Sequence, residues 1–314
     1  MGTKHDPGRM SVADFDALFA ELDNSGRWGG EDALGTLNLL RAAHVVAAAG
    51  TVRSGRTVTL SLPVNTVAGP DNPVPAIHYM SIGHDDVIGE GDGRFATDFL
   101  GIDFHGESQS HIDALNHVSY RGLLYNRRPI DLVKTSGADV HTVDDYRHGI
   151  VGRGVLVDVA RHRGVPWLLP GEYVTAEELE EASEAQGVEV GEGDILVFRT
   201  GQHRRRLEEG PWDNNVEGRA GFHPTALRFL AERNVAAFAA DGDGETVPSP
   251  VDGISYPIHP LMIAAMGMAA FDNLQFEDLR KVCDEEGRQE FLFTAGPLRL
   301  LRGTGSPVNP TAVF

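Results

Sequence analysis

A single cysteine, Cys283, among 314 residues excludes any disulfide within the chain. Packing, hydrogen bonds and any bound metal must then hold the fold, which suits a reducing cytoplasm. Positive charge is scarce: 27 Lys and Arg stand against 46 Asp and Glu, a formal net charge of −19. Such a surface repels phosphate backbones and anionic lipid headgroups, so no nucleic acid and no membrane partner is expected. Long hydrophobic runs are missing as well. Nowhere do eighteen apolar residues follow one another, and the segment Met1 to Met10 lacks the apolar core of a signal peptide. A cytoplasmic protein is the expectation. No Gly-x-Ser-x-Gly elbow, Walker loop or Gly-x-Gly-x-x-Gly turn occurs, and GEGDG at 89–93 is a bare glycine run in a loop. Serine-nucleophile and nucleotide chemistry therefore have no support. Cys283 lies in the amphipathic stretch FEDLRKVCDEEG, where it reads as a packing residue.

What is present is 41% hydrophobic residues, enough for a sizeable core. Ser11 opens a helical pattern through Phe15, Leu18, Phe19 and Leu22 that stops near Ser25-Gly26. Short β-branched runs at 56–64, 153–159, 194–199 and 235–239, bounded by Gly, Asp or Pro, read as buried strands. Two helices fall between the last three, one from Thr175 with Glu178 as a capping box to Gly187, the other from Pro224 to about Asn234. Alternation of strand and helix implies an α/β fold. Residues 65–95 and 202–221 are rich in Gly, Pro, Asp and Arg without periodicity, and read as long loops bordering a site.

The segment 103–120, DFHGESQSHIDALNHVSY, packs His105, Glu107, His111, Asp113 and His117 into thirteen positions. If 110–113 is extended, His111 and Asp113 share a face, and a following turn makes Asp113 and His117 neighbours. An isolated His-x-Asp pair is more often a hydrogen-bonded pair in a polar loop; His117 and Glu107 beside it shift the reading to a metal site. Imidazole nitrogen with carboxylate oxygen suits a borderline divalent ion such as Zn or Mn.

A second segment, 241–274, carries Asp241, Asp243, Glu245, His259 and Asp272, directly after the strand at 235–239, where α/β sheets present site residues. His259 precedes Pro260, which can open a helix, so its imidazole is expected at a helix N-terminus and neutral, as a metal requires. Alone, His259 would equally be a capping or core residue, and Asp272 a surface acid. The acids at 241–245 lack the spacing and closing glutamate of a calcium loop.

Laid out in this way, the chain resembles the cyclase family that includes bacterial kynurenine formamidase and isatin hydrolase, whose pattern is HxGTHxDxxxH. Here the pattern stands as Glu107-Ser108-Gln109-Ser110-His111-Ile112-Asp113-Ala114-Leu115-Asn116-His117, with Glu107 in the first histidine's place. Further stretches share the likeness to the family's longer members: RWGGEDALGTLNLL at 27–40, YNRRP at 125–129, RTG at 199–201, GPW at 210–212 and GFH at 221–223. The resemblance implies His111 and Asp113 as metal ligands and His117 as the catalytic acid/base. It also implies His259 and Asp272 as the later histidine and acid that complete a second metal site. Glutamate binds the same ions, so Glu107 is the preferred first ligand, with His105 as the alternative should the loop shift by two residues. Asp272 stands where glutamate is usual, and one firmly held metal is expected.

The implied fold is a swivelling β/β/α-type single domain around a mixed sheet, spanning 1–314 with an N-terminal helical extension of about fifty residues, commonly in homo-oligomers, here a dimer or tetramer. The implied activity is metal-dependent hydrolysis of an amide, lactam, lactone or aryl formamide by an activated water, with His117 as proton shuttle at an imidazole pKa near ~6.5. The small-molecule substrate is expected against Trp28, Tyr120, Tyr125, Trp212, Phe222 and His223, although such aromatics are more often core. The alternatives are a ring-closing cyclase or dehydratase on the same site, and a catalytically inactive small-molecule-binding homologue; the intact His111, Asp113 and His117 argue against the latter.

Overall fold

The computed structural model describes residues 7–86 and 93–314, so the start of the chain and most of the GEGDG run lie outside the described residues. Ser11 caps the helix Val12–Leu22, its hydroxyl accepting from the Asp14 amide, and Phe15, Leu18 and Leu22 enter the core at helical spacing. A short 3-10 turn, Gly35–Leu39, and the helix Ala42–Ala49 complete the N-terminal helical segment.

Four parallel strands form the centre of a nine-stranded mixed sheet: Ile150–Asp158, Ile195–Arg199, Ala237–Ala240 and Ala269–Asp272. Their residues are almost all buried, as continuous apolar runs in a sheet covered on both faces should be. Glu290–Ala295, Thr311–Val313 and Thr57–Thr59 extend one edge antiparallel; His111–Asp113 and Gly305–Pro307 extend the other. Crossovers bring in the helix Ala176–Ala185, whose N-cap Thr175 accepts from the Glu178 amide, and the helix Leu227–Glu232 after a turn begun by Pro224. The fold is thus mixed α/β with one large sheet. Among the described residues no helix is long and apolar enough to cross a membrane.

Two segments read as loops contain regular structure. Gln202–Glu209 is a helix of almost purely polar residues, steadied by Arg204–Glu208 and Arg205–Glu209 pairs four residues apart. Without an apolar stripe it gives no periodic signal. Ile77–Ile82 is a strand paired antiparallel with Thr97–Gly101 in a separate two-stranded ribbon. The short strands Gly305–Pro307 and Thr311–Val313 also give no separable signal in the sequence.

Candidate metal centre

Two neighbouring strands supply the site. In the antiparallel pairing of His111–Asp113 with Ala269–Asp272, His111 stands directly opposite Asp272. Residues 111 and 113 share one face of their strand while Ile112 points into the core with no exposure. Side-chain bonds from the backbone lock the two strands together: the Ser110 hydroxyl donates to the Asn273 carbonyl at 2.6 Å and accepts from the Leu62 amide. Asn273, in the left-handed region at φ 54°, then sends its amide to the Gly106 carbonyl at 2.9 Å and holds the loop carrying His105.

His105 comes into the site from that loop, its Nε2 against the Thr304 hydroxyl at 2.9 Å and its Nδ1 3.0 Å from Asp113 Oδ1. Gly305, paired with Asp113 across the sheet, makes room for it, since a Cβ there would meet His105 Cε1 at 2.8 Å and the Ile112 carbonyl at 2.5 Å. His111 holds its Nδ1 on the Gln109 carbonyl at 2.9 Å and aims Nε2 at Asp113, 3.5 Å away. His259 places Nδ1 on Glu245 Oε1 at 2.8 Å and Nε2 at 3.2 Å from Asp272 Oδ2 and 3.7 Å from Asp113 Oδ2. Each of the three imidazoles therefore has one nitrogen held from outside and the other turned inward, the arrangement that orients metal ligands.

Ligand atoms of His105, His111 and Asp113 lie within 4.8 Å of one another, and so do those of Asp113, His259 and Asp272. Both oxygens of Asp113, Oδ1 of Asp272 and Nδ1 of His105 are buried without a hydrogen-bond partner. Orphaned buried oxygens are costly unless a cation completes them, so this donor set fits a divalent metal.

Charge follows the same geometry. Burial pushes the Asp113 carboxyl up, but His117, His105 and His111 around it prevail and hold it below the usual carboxylate range. Burial opposes the charge of His259, yet its hydrogen bonds to Asp272 and Glu245 carry it well above the ordinary imidazole value. A neutral imidazole was expected from the helix that Pro260 begins; that helix is a six-residue π turn, and two carboxylates outweigh its dipole. His117 is 3.8 Å from Asp113 Oδ2, and its ring stacks on that of His105 at 3.9 Å and 2°. Its pKa is lowered to about 4, chiefly by burial, with Asp113 opposing and His105, His259 and His111 adding to the fall.

Glu107 lines the same cavity but belongs to neither group of convergent ligand atoms. Its Oε1 accepts from Arg219 at 2.7 Å and its Oε2 from Asn214 at 3.2 Å, so His105 takes the position nearest Asp113. Arg219, 1% exposed, also pairs with Asp243 at 2.5 Å. Burial pushes the Asp243 carboxyl up, and the Arg219 guanidinium opposes it.

The cavity over the cluster measures about 370 Å³, with Val118, Tyr256 and Pro260 among its apolar walls. None of the six residues expected to line it does so. Trp28 lies under Arg27, and Tyr120 packs on Phe15 and Phe19 and donates to Asp16. Tyr125 is buried with its hydroxyl on Asp32, Trp212 donates to the Gly218 carbonyl, Phe222 stacks between Phe198 and Phe238, and His223 contacts Thr225 and Gly8. Tyr125, Trp212, Phe222 and His223 are buried, where a ring gains most, while Trp28 and Tyr120 stay half-buried away from the cavity. Tyr256 and Arg219 gave no motif in the sequence; their only signal was closeness in the chain to candidate residues, whereas Glu245 is one of the acids of the segment 241–274.

A family model described as a putative cyclase matches residues 44–244. Isatin hydrolase of Roseibium aggregatum is 26% identical over 151 residues, which is 45% of this chain and 53% of that protein. The chain thus matches about half the length of that curated relative. Among solved structures, a novel cyclase is 31% identical and superposes with a TM-score of 0.83 over 93% of this chain and 100% of its own. An isatin hydrolase bound to the product analogue thioisatinate, 19% identical, superposes at 0.56 over 86% of this chain and 95% of its own, a likeness of fold.

Proposed function

This chain belongs to the putative cyclase family, and from that premise we propose that it is a metal-dependent hydrolase opening a C–N or ester bond of a small molecule. One observation carries the reading: both oxygens of the buried Asp113 lack a hydrogen bond and lie within ion-pair reach of four imidazoles, and Oδ1 of the buried Asp272 lacks a hydrogen bond as well. His105, His111 and Asp113 would hold a divalent ion, with His259 and Asp272 completing the set on the other side of Asp113. Imidazole and carboxylate together favour Zn or Mn over the harder ions. Bound there, such an ion supplies a Lewis acid for a carbonyl and lowers the pKa of a water to about 7.

His117 does the proton work in this reading. With its pKa near about 4 it is neutral at physiological pH and free to accept a proton. Stacking on His105 fixes its ring, and its position 3.8 Å from Asp113 places it beside the ligand cluster without belonging to it. The proton it takes from water it returns to the leaving nitrogen or oxygen. An amide, lactam, lactone or aryl formamide of small-molecule size suits both this chemistry and a cavity of about 370 Å³. Glu107 and Asp243 neutralise Arg219, so this wall orients polar groups of the substrate without presenting a free positive charge.

The test is metal per chain by mass spectrometry in dialysed protein, before and after loading with Zn or Mn, for wild type and Asp113→Asn. Bound metal that the variant loses, together with hydrolysis of a cyclic amide, lactone or aryl formamide, is the expected result. Absence of metal under every loading would leave a ligand-binding protein in place of a hydrolase.

A further inference from the structure

The turn at 69–72 and the segment 202–214 meet beside the candidate centre around a second, much smaller cavity of about 20 Å³. Asp71 comes from the first, His203, Arg206 and Asn214 from the second, and Glu107 and Asn273 line this cavity and the larger one alike. A space of this size holds one particle as large as a water molecule and no organic ligand.

Three of the lining side chains carry an unsatisfied atom. Asp71 Oδ1, Asn214 Oδ1 and His203 Nδ1 are buried with no hydrogen-bond partner, and Asp71 and Asn214 are each 4% exposed. Both oxygens are fixed by the other half of their own group. Asp71 Oδ2 accepts from Arg206 Nε, and Asn214 donates Nδ2 to Glu107 Oε2 at 3.2 Å, so what each has left is an acceptor held in place. The turn under Asp71 is itself tied down. Gly69 and Asn72 exchange backbone hydrogen bonds, and the Gln109 side chain binds both the amide and the carbonyl of Asn65. Burial lowers the pKa of His203, so its ring is neutral at pH 7, the form that can offer a lone pair.

A water could give its two protons to the two oxygens, but charge favours a cation. Three carboxylates, Asp71, Glu107 and Asp241, line the cavity against one guanidinium, Arg206. The neighbouring arginines are already shared, Arg219 between Glu107 and Asp243 and Arg199 between Asp158 and Glu277. Burial pushes Asp241 up to about 6, which leaves it mostly ionised at pH 7. Surplus buried negative charge is costly unless a cation offsets it. A divalent ion suits the cavity less, since neither group of three convergent His and Asp ligand atoms lies here. We propose that this cavity binds one monovalent cation of about water size, potassium or an ion like it, held by Asp71, Asn214 and His203. Through the bond from Asn214 to Glu107 it would steady the wall of the larger cavity.

Thermal unfolding of the full chain in potassium chloride and in choline chloride, at equal ionic strength and with the same divalent ion in every sample, tests this. Choline cannot enter a space of about 20 Å³. The expected wild-type midpoint is at least about 2 °C higher in about 0.1 M potassium, and the difference vanishes in Asp71→Asn, which removes the charged donor and keeps its shape. Equal wild-type midpoints in the two salts, or a difference that Asp71→Asn retains in full, overturns the proposal. Should the variant fail to fold, wild-type crystals grown in rubidium chloride decide. An anomalous peak among Asp71, Asn214 and His203 supports the site, and water density without such a peak refutes it. Because the comparison is between monovalent salts and needs no turnover, failure of the hydrolase reading would leave it unchanged.

Discussion

Glu107 Oε1 accepts a hydrogen bond from Nη1 of Arg219 at 2.7 Å, and Glu107 belongs to neither group of convergent His and Asp ligand atoms. A guanidinium that is 1% exposed needs its counter-charges more than a cation site with other donors needs a sixth ligand.

Glu107→Ala is accordingly expected to keep its metal and lose stability by about 1–3 kcal/mol, because Arg219 is left with Asp243 alone. His105→Ala should do the reverse, losing metal affinity at least about tenfold with a smaller change in stability. Metal analysis and urea unfolding of both variants check the pair; metal lost from the first and kept in the second would return the ligand role to Glu107.

His117→Ala should retain metal, since its ring nitrogen sits outside both groups of convergent ligand atoms. Its turnover on any amide or lactone that the wild type opens should fall by about 10² to 10⁴. Unchanged kcat would remove His117 from the proton transfer.

Glu245 touches no proposed substrate position but accepts from the Ile258 and His259 amides and from the His259 ring. Glu245→Gln should weaken metal binding by about 10- to 100-fold through the loss of that orientation. Chelator competition measures it, and an affinity equal to wild type would show that His259 is held by its backbone alone.

His141, buried against the Tyr125 carbonyl, has its pKa lowered, by burial first. A lowered folded value means that the folded chain binds fewer protons than the unfolded one in this window. The stability tied to the neutral ring is complete above the ordinary 6.5 and is lost as pH falls towards the folded value. His141→Asn, which tolerates the local φ of 52°, should therefore lose less stability than wild type between pH 7 and 5. Parallel pH dependence in the two proteins, followed by thermal unfolding, would contradict this.

Much was legible in the residues alone. Apolar periodicity and capping chemistry located the helix after Ser11, the helix after Thr175 and the buried central strands, because these signals are local. The density of His and Asp between 105 and 117 located the candidate site, and the strand at 237–240 pointed to the acids that follow it. The ribbon at 77–101 escaped because its turn-forming flanks and two-sided apolar pattern match neither a half-buried strand nor a helix.

Tertiary structure decided the rest. Which of His105 and Glu107 turns towards Asp113 depends on a buried arginine more than a hundred residues away and on the space left by Gly305, and neither leaves a mark in the local pattern. Tyr125, Trp212 and Phe222 went to the interior and Tyr256 to the cavity for the same reason: burial is settled by the surfaces the folded elements present to one another, whereas spacing along the chain fixes only which side chains share a face.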